Sequence, residues 1–158
     1  LIIINSNEEL SLIIKKERYI LQNFISGPIY AVDYVRNAIS NHDFAIPRQE
    51  LLRTKNGAGT TVKVVNDPLL QDLASLIGNK IEVHGCINME FIKHDDKYFL
   101  IDINPRFSAG IAFSVQSGYN MVHSHINCFS GKDILPPIII KEQIIAKWYR
   151  EEIMKRYE

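Results

Sequence analysis

Alternating apolar and polar residues predict two adjacent β-strands near the middle of the chain, on either side of a short polar turn. The polar side chains of the first strand are Asn88 and Glu90, and those of the second are Asp102 and Asn104. The apolar side chains that face the opposite way are predicted to be Ile87, Met89 and Phe91, and then Phe99, Ile101 and Ile103.

The length of the turn decides which polar residues meet. A three-residue loop, residues 95–97, would pair Glu90 with Asp102 and Asn88 with Asn104. A two-residue loop would not, because a slip of one residue reverses the facing of every side chain. We therefore predict the three-residue loop.

The remaining pattern predicts an α+β domain in which antiparallel strands carry helices on one side. Asp67 and Pro68 mark a helix start and Gly78 its end, with Leu69, Leu73, Leu76 and Ile77 as its core stripe. Further strands are predicted at residues 1–4, 19–25, 29–35 and 44–53, and further helices at residues 8–14, 108–118, 121–129 and 141–158, the last docked by Trp148.

Composition limits the classes of function. The chain has 158 residues, enough for about one domain with a substantial core. Its net charge is zero and its basic residues are scattered, which argues against nucleic acid and membrane surfaces as partners. Cys86 and Cys128 form no CxxC pair and are interpreted as buried, reduced thiols of a cytosolic protein, with one bridge between them as the alternative.

The predicted hairpin suggests a cation site. Two carboxylates that oppose each other across a strand pair repel by about 0.2–1 kcal/mol, so Glu90 and Asp102 would be stabilised by a cation. Two carboxylates and the Asn104 amide oxygen form a hard-oxygen set that suits Mg²⁺ or Mn²⁺ better than zinc. Arg106, held by Pro105, can offer a bidentate fork to phosphate, although an ion pair with Asp102 is the alternative.

These residues resemble the ATP-grasp superfamily, in the branch of carbamoyl phosphate synthase large subunits and carboxylate–amine ligases. The resemblance indicates the C-terminal part of an ATP-grasp domain. It implies that residues 1–25 end a first lobe, 26–135 form a second lobe, and 136–158 are a helical extension. The motifs that carry it are Gly85-Cys86-Ile87-Asn88-Met89-Glu90-Phe91, Leu100-Ile101-Asp102-Ile103-Asn104-Pro105-Arg106-Phe107-Ser108, Gly118-Tyr119-Asn120, and Ile20-Leu21-Gln22-Asn23-Phe24-Ile25-Ser26-Gly27-Pro28 with Tyr30-Ala31-Val32-Asp33.

The resemblance implies binding of Mg-ATP between two lobes and activation of a small-molecule carboxylate as an acyl-phosphate, which an amine then attacks. It implies metal ligation by Glu90, Asp102 and Asn104, and phosphate contacts from Asn88 and Arg106. It also implies an adenine site framed by Gln22, Phe24 and Ile25.

Three departures from the family pattern qualify these expectations. The ribose-binding Glu is replaced by Ile29, and the usual Glu of the acid-x-Asn-Pro-Arg element is Asp102. The family's glycine-rich phosphate loop and its lysine would precede Leu1. We therefore expect a fragment that is inactive alone, completed by an N-terminal part of the same protein.

Some alternatives stay open. Arg53 and Lys55 flank a glycine-containing loop, residues 56–60, that either closes over phosphate or is an exposed basic loop. His84 is expected to be structural, and the spacing of His123 and His125 argues against zinc.

A non-catalytic nucleotide-binding or interaction module is the rival to the ligase, and the oligomeric state, including a homodimer, is undetermined.

Overall fold

The computed structural model describes residues 2–13 and 20–148 of the chain. The elements within these residues are, in chain order, α1 (Asn7–Ile13), β1 (Ile29–Arg36), β2 (Asp43–Arg53), β3 (Gly59–Val64), α2 (Pro68–Lys80), β4 (Gly85–His94), β5 (Lys97–Asn104), α3 (Ile111–Gln116), α4 (Met121–Phe129) and β6 (Gln143–Ala146). The fold class is α+β, as predicted.

The strands form one six-stranded sheet in the order β5-β4-β1-β2-β3-β6, in which every neighbouring pair is antiparallel. β1 is central and almost fully buried, because its side chains are covered on both faces. β3 is not predicted from the sequence, although Thr60-Thr61-Val62-Lys63-Val64 is rich in the β-branched residues that favour strands.

Helices cover both faces of the sheet, rather than one side as predicted. On one face α2 packs against a cluster that includes Val32, Tyr34 and Met89. On the other face Tyr119 and residues of α4 pack against Val35 and Phe44, at one end of the strands. Among the described residues no helix covers the other end of that second face, and the candidate site lies there.

The start of α2 agrees with the prediction and its end does not. Asp67 is the N-cap and accepts a hydrogen bond from the backbone N–H of Leu70 at 3.0 Å, and Pro68 is the first helical residue. Gly78 lies inside the helix, which continues to Lys80. A glycine is required at this position because a Cβ would stand 2.2 Å from the Tyr34 ring. The buried positions are Leu70, Ala74 and Gly78, whereas Leu69 and Leu76 of the predicted stripe are exposed.

The predicted strands before β1 are wrong within the described residues. Residues 2–4 and 20–25 form no strand, and their side chains are mostly exposed. A strand needs a partner for its backbone hydrogen bonds, and these apolar runs lie outside the ladder. The predicted helix start is confirmed, since the Ser6 hydroxyl accepts a hydrogen bond from the Glu9 N–H at 3.2 Å. Leu1, residues 14–19 and residues 149–158 lie outside the described residues.

The predicted C-terminal helix is also wrong over its described part. Gln143–Ala146 forms β6, which pairs with β3 at the edge of the sheet. The consecutive residues Ile144 and Ile145 face opposite ways, since Ile144 is exposed and Ile145 packs against the core, and this is the period of two of a strand. Trp148 is 89% exposed and so does not dock this segment onto the body.

Over residues 2–13 and 20–148, we find no helix with both the length and the apolar character that crossing a bilayer requires.

Candidate functional site

The predicted pairs are present in the β4–β5 hairpin, but a different turn produces them. Asn88 pairs with Asn104 and Glu90 pairs with Asp102. The turn has only two residues, Asp95 and Asp96, because His94 already pairs with Lys97. Asp95 has a positive φ of 51°, as the tight turns of hairpins require.

A β-bulge at Ile101 restores the register that the short turn would otherwise lose. Glu90 pairs with Asp102 and Phe91 with Leu100, which leaves Ile101 as the extra residue. The bulge changes which apolar residues of β5 face α2. Tyr98, and not Phe99, joins Ile103 against that cluster, so the predicted face of Phe99, Ile101 and Ile103 is wrong.

The polar face of this hairpin opens into a cleft of about 120 Å³. Its floor is the sheet, where Ala31 lies between Arg48 of β2 and Glu90 of β4 in one row across the strands. Its walls are the β2–β3 hairpin loop and the segment that follows β5. The lining residues are Ala31, Arg48, Glu50, Arg53, Asn56, Gly57, Ala58, Gly59, Asn88, Glu90, Asn104, Arg106, Ser108, Ala109 and Gly110.

A buried ion pair forms the deepest part of the cleft. Arg48 donates to Asp33 Oδ2 at 2.7 Å, and the two side chains are 2% and 0% exposed. Asp33 Oδ2 also accepts from the Ser114 hydroxyl at 2.6 Å, and Arg48 donates to the Ser108 hydroxyl at 3.1 Å. These bonds tie the segment after β5, and α3, to the sheet.

Glu50 is a second buried carboxylate beside Arg48. Its side chain is 4% exposed, and Oε1 lies 3.3 Å from Arg48 Nε without hydrogen-bond geometry. Glu50 Oε2 has no hydrogen-bond partner among the described residues. Burial raises the pKa of Glu50, although Arg48 and then Arg53 act against this, and Glu90 adds to it. Gly59 provides the space, since a Cβ there would stand 1.9 Å from Oε2.

Arg53 connects the β2–β3 loop to the hairpin that carries the carboxylates. Its Nη2 lies 2.9 Å from Glu90 Oε2, and its Nε donates to the Gly57 carbonyl at 2.6 Å. Gly57 has a φ of +84°, a backbone angle that residues other than glycine rarely adopt. The Arg53 guanidinium therefore holds both the loop and Glu90.

Asp102, Asn104 and Arg106 form a chain of contacts at the open edge. The Asn104 amide donates to Asp102 Oδ2 at 2.8 Å, and Arg106 donates to Asn104 Oδ1 at 3.1 Å. Arg106 and Asp102 are both exposed, and the structure shows no ion pair between them, so the alternative for Arg106 is not supported. Arg106 lines the cleft, whereas Asp102 is not among its lining residues, and both side chains are exposed.

The chemistry of this set fits a divalent cation of the magnesium type. Glu90 and Asp102 are directly opposed on one face of the ladder, with Asn104 two residues beyond, and all three offer oxygen donors. The Glu90 carboxylate already attracts a cation, the Arg53 guanidinium. Among the residues that the structure describes, no group of three or more His, Cys, Asp or Glu side chains could hold a metal, so a site here relies on the amide and on ligands from phosphate or water.

The structure brings together some of the predicted site residues and separates others. Asn88 and Arg53 line the cleft with Glu90, Asn104 and Arg106, whereas Lys55 is exposed in the turn beyond them. Gln22 and Phe24 line a separate shallow hollow beside the start of α1, and Ile25 lines neither cavity.

Arg48 and Glu50 are cleft residues that the sequence analysis misses. The signal is present, because they continue the alternation of Phe44 and Ile46 along β2. Charged residues at the end of a buried strand on its inward face indicate a polar site rather than a core.

The histidines and cysteines lie away from this cleft. His84 Nδ1 accepts from the Ala38 N–H at 3.1 Å and its Nε2 lies 3.1 Å from the Cys128 carbonyl oxygen, which supports the structural role. His125 Nδ1 accepts from the Cys86 N–H at 2.9 Å, and burial lowers its pKa. Cys86 and Cys128 are buried and free, as predicted.

Several known proteins share this arrangement of strands. The chain is similar to Rhizobium etli pyruvate carboxylase (T882A, crystallised without acetyl coenzyme A), with a TM-score of 0.59 and 15% identity over 70% of this chain and 12% of that one. It is similar to Kluyveromyces lactis urea carboxylase, with a TM-score of 0.55 and 13% identity over 67% of this chain and 10% of that one. It is also similar to the biotin carboxylase domain of a thermophilic 2-oxoglutarate carboxylase bound to bicarbonate, with a TM-score of 0.58 and 15% identity over 72% and 28%.

The chain thus spans between 10% and 28% of the length of these three proteins. No curated protein matches it at a significant level. The family described as ATP-grasp in the biosynthetic pathway with Ter operon matches residues 15–151, which is most of the chain. The chain therefore belongs to the ATP-grasp family.

Proposed function

We propose that this chain supplies the metal- and phosphate-binding lobe of an ATP-dependent ligase, which activates a carboxylate as an acyl-phosphate for attack by an amine. The observation that carries the proposal is the pairing of Glu90 with Asp102 and of Asn88 with Asn104 in the β4–β5 hairpin. Glu90, Asn88 and Asn104 line a cleft that also holds Arg53 and Arg106. The family membership supports the same conclusion.

The reaction is one that such a cleft can promote without a nucleophilic side chain. Transfer of a phosphoryl group spreads negative charge over its oxygens, so catalysis depends on positioning and on stabilising that charge. Bound at Glu90, Asp102 and Asn104, Mg²⁺ or Mn²⁺ would neutralise phosphate charge. Arg106 is exposed at the cleft mouth and can offer a planar pair of N–H donors to a phosphate or acyl-phosphate.

The other proposed roles follow from position. Asn88 is buried on the cleft floor, where its amide donates weakly to the Val32 carbonyl at 3.4 Å and leaves capacity for a phosphate oxygen. Gln22, Phe24 and Ile25 are proposed to frame the adenine with a further part of the protein, since they lie outside this cleft. Lys55 is proposed as an exposed phosphate contact of the loop.

A binding and turnover experiment on the full-length protein tests the proposal. Calorimetry should show Mg²⁺-dependent ATP binding that Glu90→Ala weakens at least about tenfold, because it removes a carboxylate from the cation site. A matched control is Glu142→Ala, which removes an exposed carboxylate paired with Lys63 at the far edge of the sheet. ATP binding that is unchanged by Glu90→Ala would refute the metal role.

The rival function is a nucleotide-binding or interaction module without catalysis, and Ile29 in the place of a ribose-binding carboxylate favours it. Release of ADP in the presence of candidate carboxylates separates the two. A ligase releases ADP only when a carboxylate is present, whereas a binding module retains ATP with any added acid. The free, buried thiols support our proposal of a cytosolic location.

A further inference from the structure

Glu50 and Arg53 lie on the same face of β2, although they are three residues apart and a regular strand would place them on opposite faces. The register between β2 and β3 shifts between Glu50 and Leu52, and again between Leu52 and Arg53. These irregularities turn Arg53 toward the cleft that Glu50 already faces. Two carboxylates, Glu50 and Glu90, therefore stand near one guanidinium.

The two carboxylates differ in whether their Oε2 atoms have a partner. Glu90 Oε2 is 2.9 Å from Arg53 Nη2, whereas Glu50 Oε2 is buried without a partner. A buried carboxylate oxygen without a hydrogen-bond donor destabilises the folded protein. Such an oxygen therefore points to a ligand, or to a movement of the protein, that supplies the missing donor. The described residues contain one other unpaired buried carboxylate oxygen, Asp33 Oδ1, and that side chain is already held by Arg48 and Ser114.

We propose that Glu50 is a positioning residue, whose unpaired oxygen receives the Arg53 guanidinium when a divalent ion takes Glu90. The inference rests on the proposed function, because it assumes a metal ion at Glu90. A divalent ion and a guanidinium compete for the same carboxylate, and the ion repels the displaced cation. Glu50 then keeps that cation inside the cleft, beside the phosphates, and prevents its loss to solvent.

The β2–β3 loop allows this movement to be short. Arg53 Nε donates to the Gly57 carbonyl, so the guanidinium can pivot about that bond while its Nη atoms leave Glu90. Arg53 pairs across the ladder with Gly59, and the Glu50 carboxylate lies against Gly59. The backbone of Arg53 and the vacant carboxylate oxygen of Glu50 therefore both adjoin Gly59.

Titration of the full-length protein with Mn²⁺ alone, followed by electron paramagnetic resonance, tests the inference. Arg53→Ala should bind Mn²⁺ at least about threefold more tightly, because a competitor for Glu90 is gone. Glu50→Gln should bind it at least about threefold more weakly, because the displaced guanidinium has no carboxylate to receive it. In the Arg53→Ala background, Glu50→Gln should have a clearly smaller effect.

Gly59→Ala is the second variant, because it retains the charge of Glu50. A Cβ at this position would stand 1.9 Å from Glu50 Oε2 and would block the acceptor. We expect weaker Mn²⁺ binding in the presence of Arg53 and no weakening in its absence. Circular dichroism establishes that each variant is folded.

Three outcomes overturn the inference. If Glu50→Gln weakens Mn²⁺ binding equally with and without Arg53, the carboxylate acts through its charge alone. If Gly59→Ala binds Mn²⁺ as the unaltered protein does, the vacant oxygen has no role. If neither the unaltered protein nor Arg53→Ala binds Mn²⁺, the proposed metal site fails, and this inference fails with it.

Discussion

Glu90 and Asp102 stand directly opposite each other on neighbouring strands, and the extra residue Ile101 is what brings them into this position. The two-residue turn at Asp95 and Asp96 would by itself place Asp102 on the opposite face. The bulge thus compensates for the turn, so that the two carboxylates lie on one face.

Inserting one alanine between Ile101 and Asp102 should abolish metal binding. The ladder beyond the bulge would slip by one residue, so Asp102 and Asn104 would turn toward α2, where the cluster around Met89 is apolar. Deleting Ile101 in the same variant should restore the register and the binding. Mn²⁺ titration measures the effect, and circular dichroism measures the fold. Binding that survives the insertion would show that the paired register is unnecessary.

Asp102→Asn should abolish ATP turnover in the full-length protein, because it replaces the charged carboxylate proposed as a metal ligand with a neutral amide of the same size. Asp102 is exposed, so the fold should be unaffected. Release of ADP measures turnover, and Asp96→Asn, in the turn of the same hairpin, is the matched control. Activity near that of the unaltered protein would refute a metal role for Asp102.

Arg48→Ala should destabilise the fold by about 3–5 kcal/mol, because it leaves the buried carboxylate of Asp33 without its cation. The double variant Asp33→Ala with Arg48→Ala should cost less than the sum of the two single changes. Urea unfolding measures these free energies. Additive effects would show that the two residues contribute independently.

Glu50 should make stability depend on pH. Burial raises its pKa above the ordinary value of 4.5, so the folded protein binds this proton more tightly than the unfolded chain. The free energy of unfolding should therefore fall as the pH rises from 4.5 through the folded pKa.

Glu50→Gln is the matched variant for this pH dependence, because glutamine has nearly the same shape and does not titrate. Relative to the unaltered protein, the variant should gain stability as the pH increases across this window. Urea unfolding at several pH values provides the comparison. A stability difference that is constant with pH would contradict the assignment.

Gly78→Ala should destabilise the protein by about 1–3 kcal/mol, because the added methyl would overlap the buried Tyr34 ring. Leu76→Ala, at an exposed position of the same helix, should change stability by less than about 0.5 kcal/mol. Thermal unfolding compares the two. Equal effects would show that the helix tolerates a side chain at residue 78.

The central part of the fold could be predicted because its signals are local. Strand alternation, the Asp67-Pro68 helix start and the motif around Asn104 each depend on a few neighbouring residues. The pairing of Glu90 with Asp102 was also predicted correctly, but with a three-residue loop in place of the two-residue turn and the bulge. A bulge leaves little local signal, since Ile101 fits a regular strand equally well.

Other features depend on contacts that are distant in sequence. Residues 20–25 have the composition of a strand, yet no strand of the sheet pairs with them among the described residues. Gly78 is a plausible helix end by residue type, and only its packing against the distant Tyr34 ring explains why a glycine stands inside the helix. The sequence shows that residue 50 is charged, but the burial of Glu50 against Gly59 depends on the shifted register of β2 and β3.

Gly27 sets the distance between two proposed parts of the nucleotide site. A Cβ here would stand 1.9 Å from the Lys93 carbonyl oxygen, and the Lys93 N–H donates to the Pro28 carbonyl at 3.0 Å. This close approach fastens the segment proposed for adenine to the strand that carries Glu90. A larger residue at position 27 would therefore displace the segment proposed for adenine from the strand that carries Glu90.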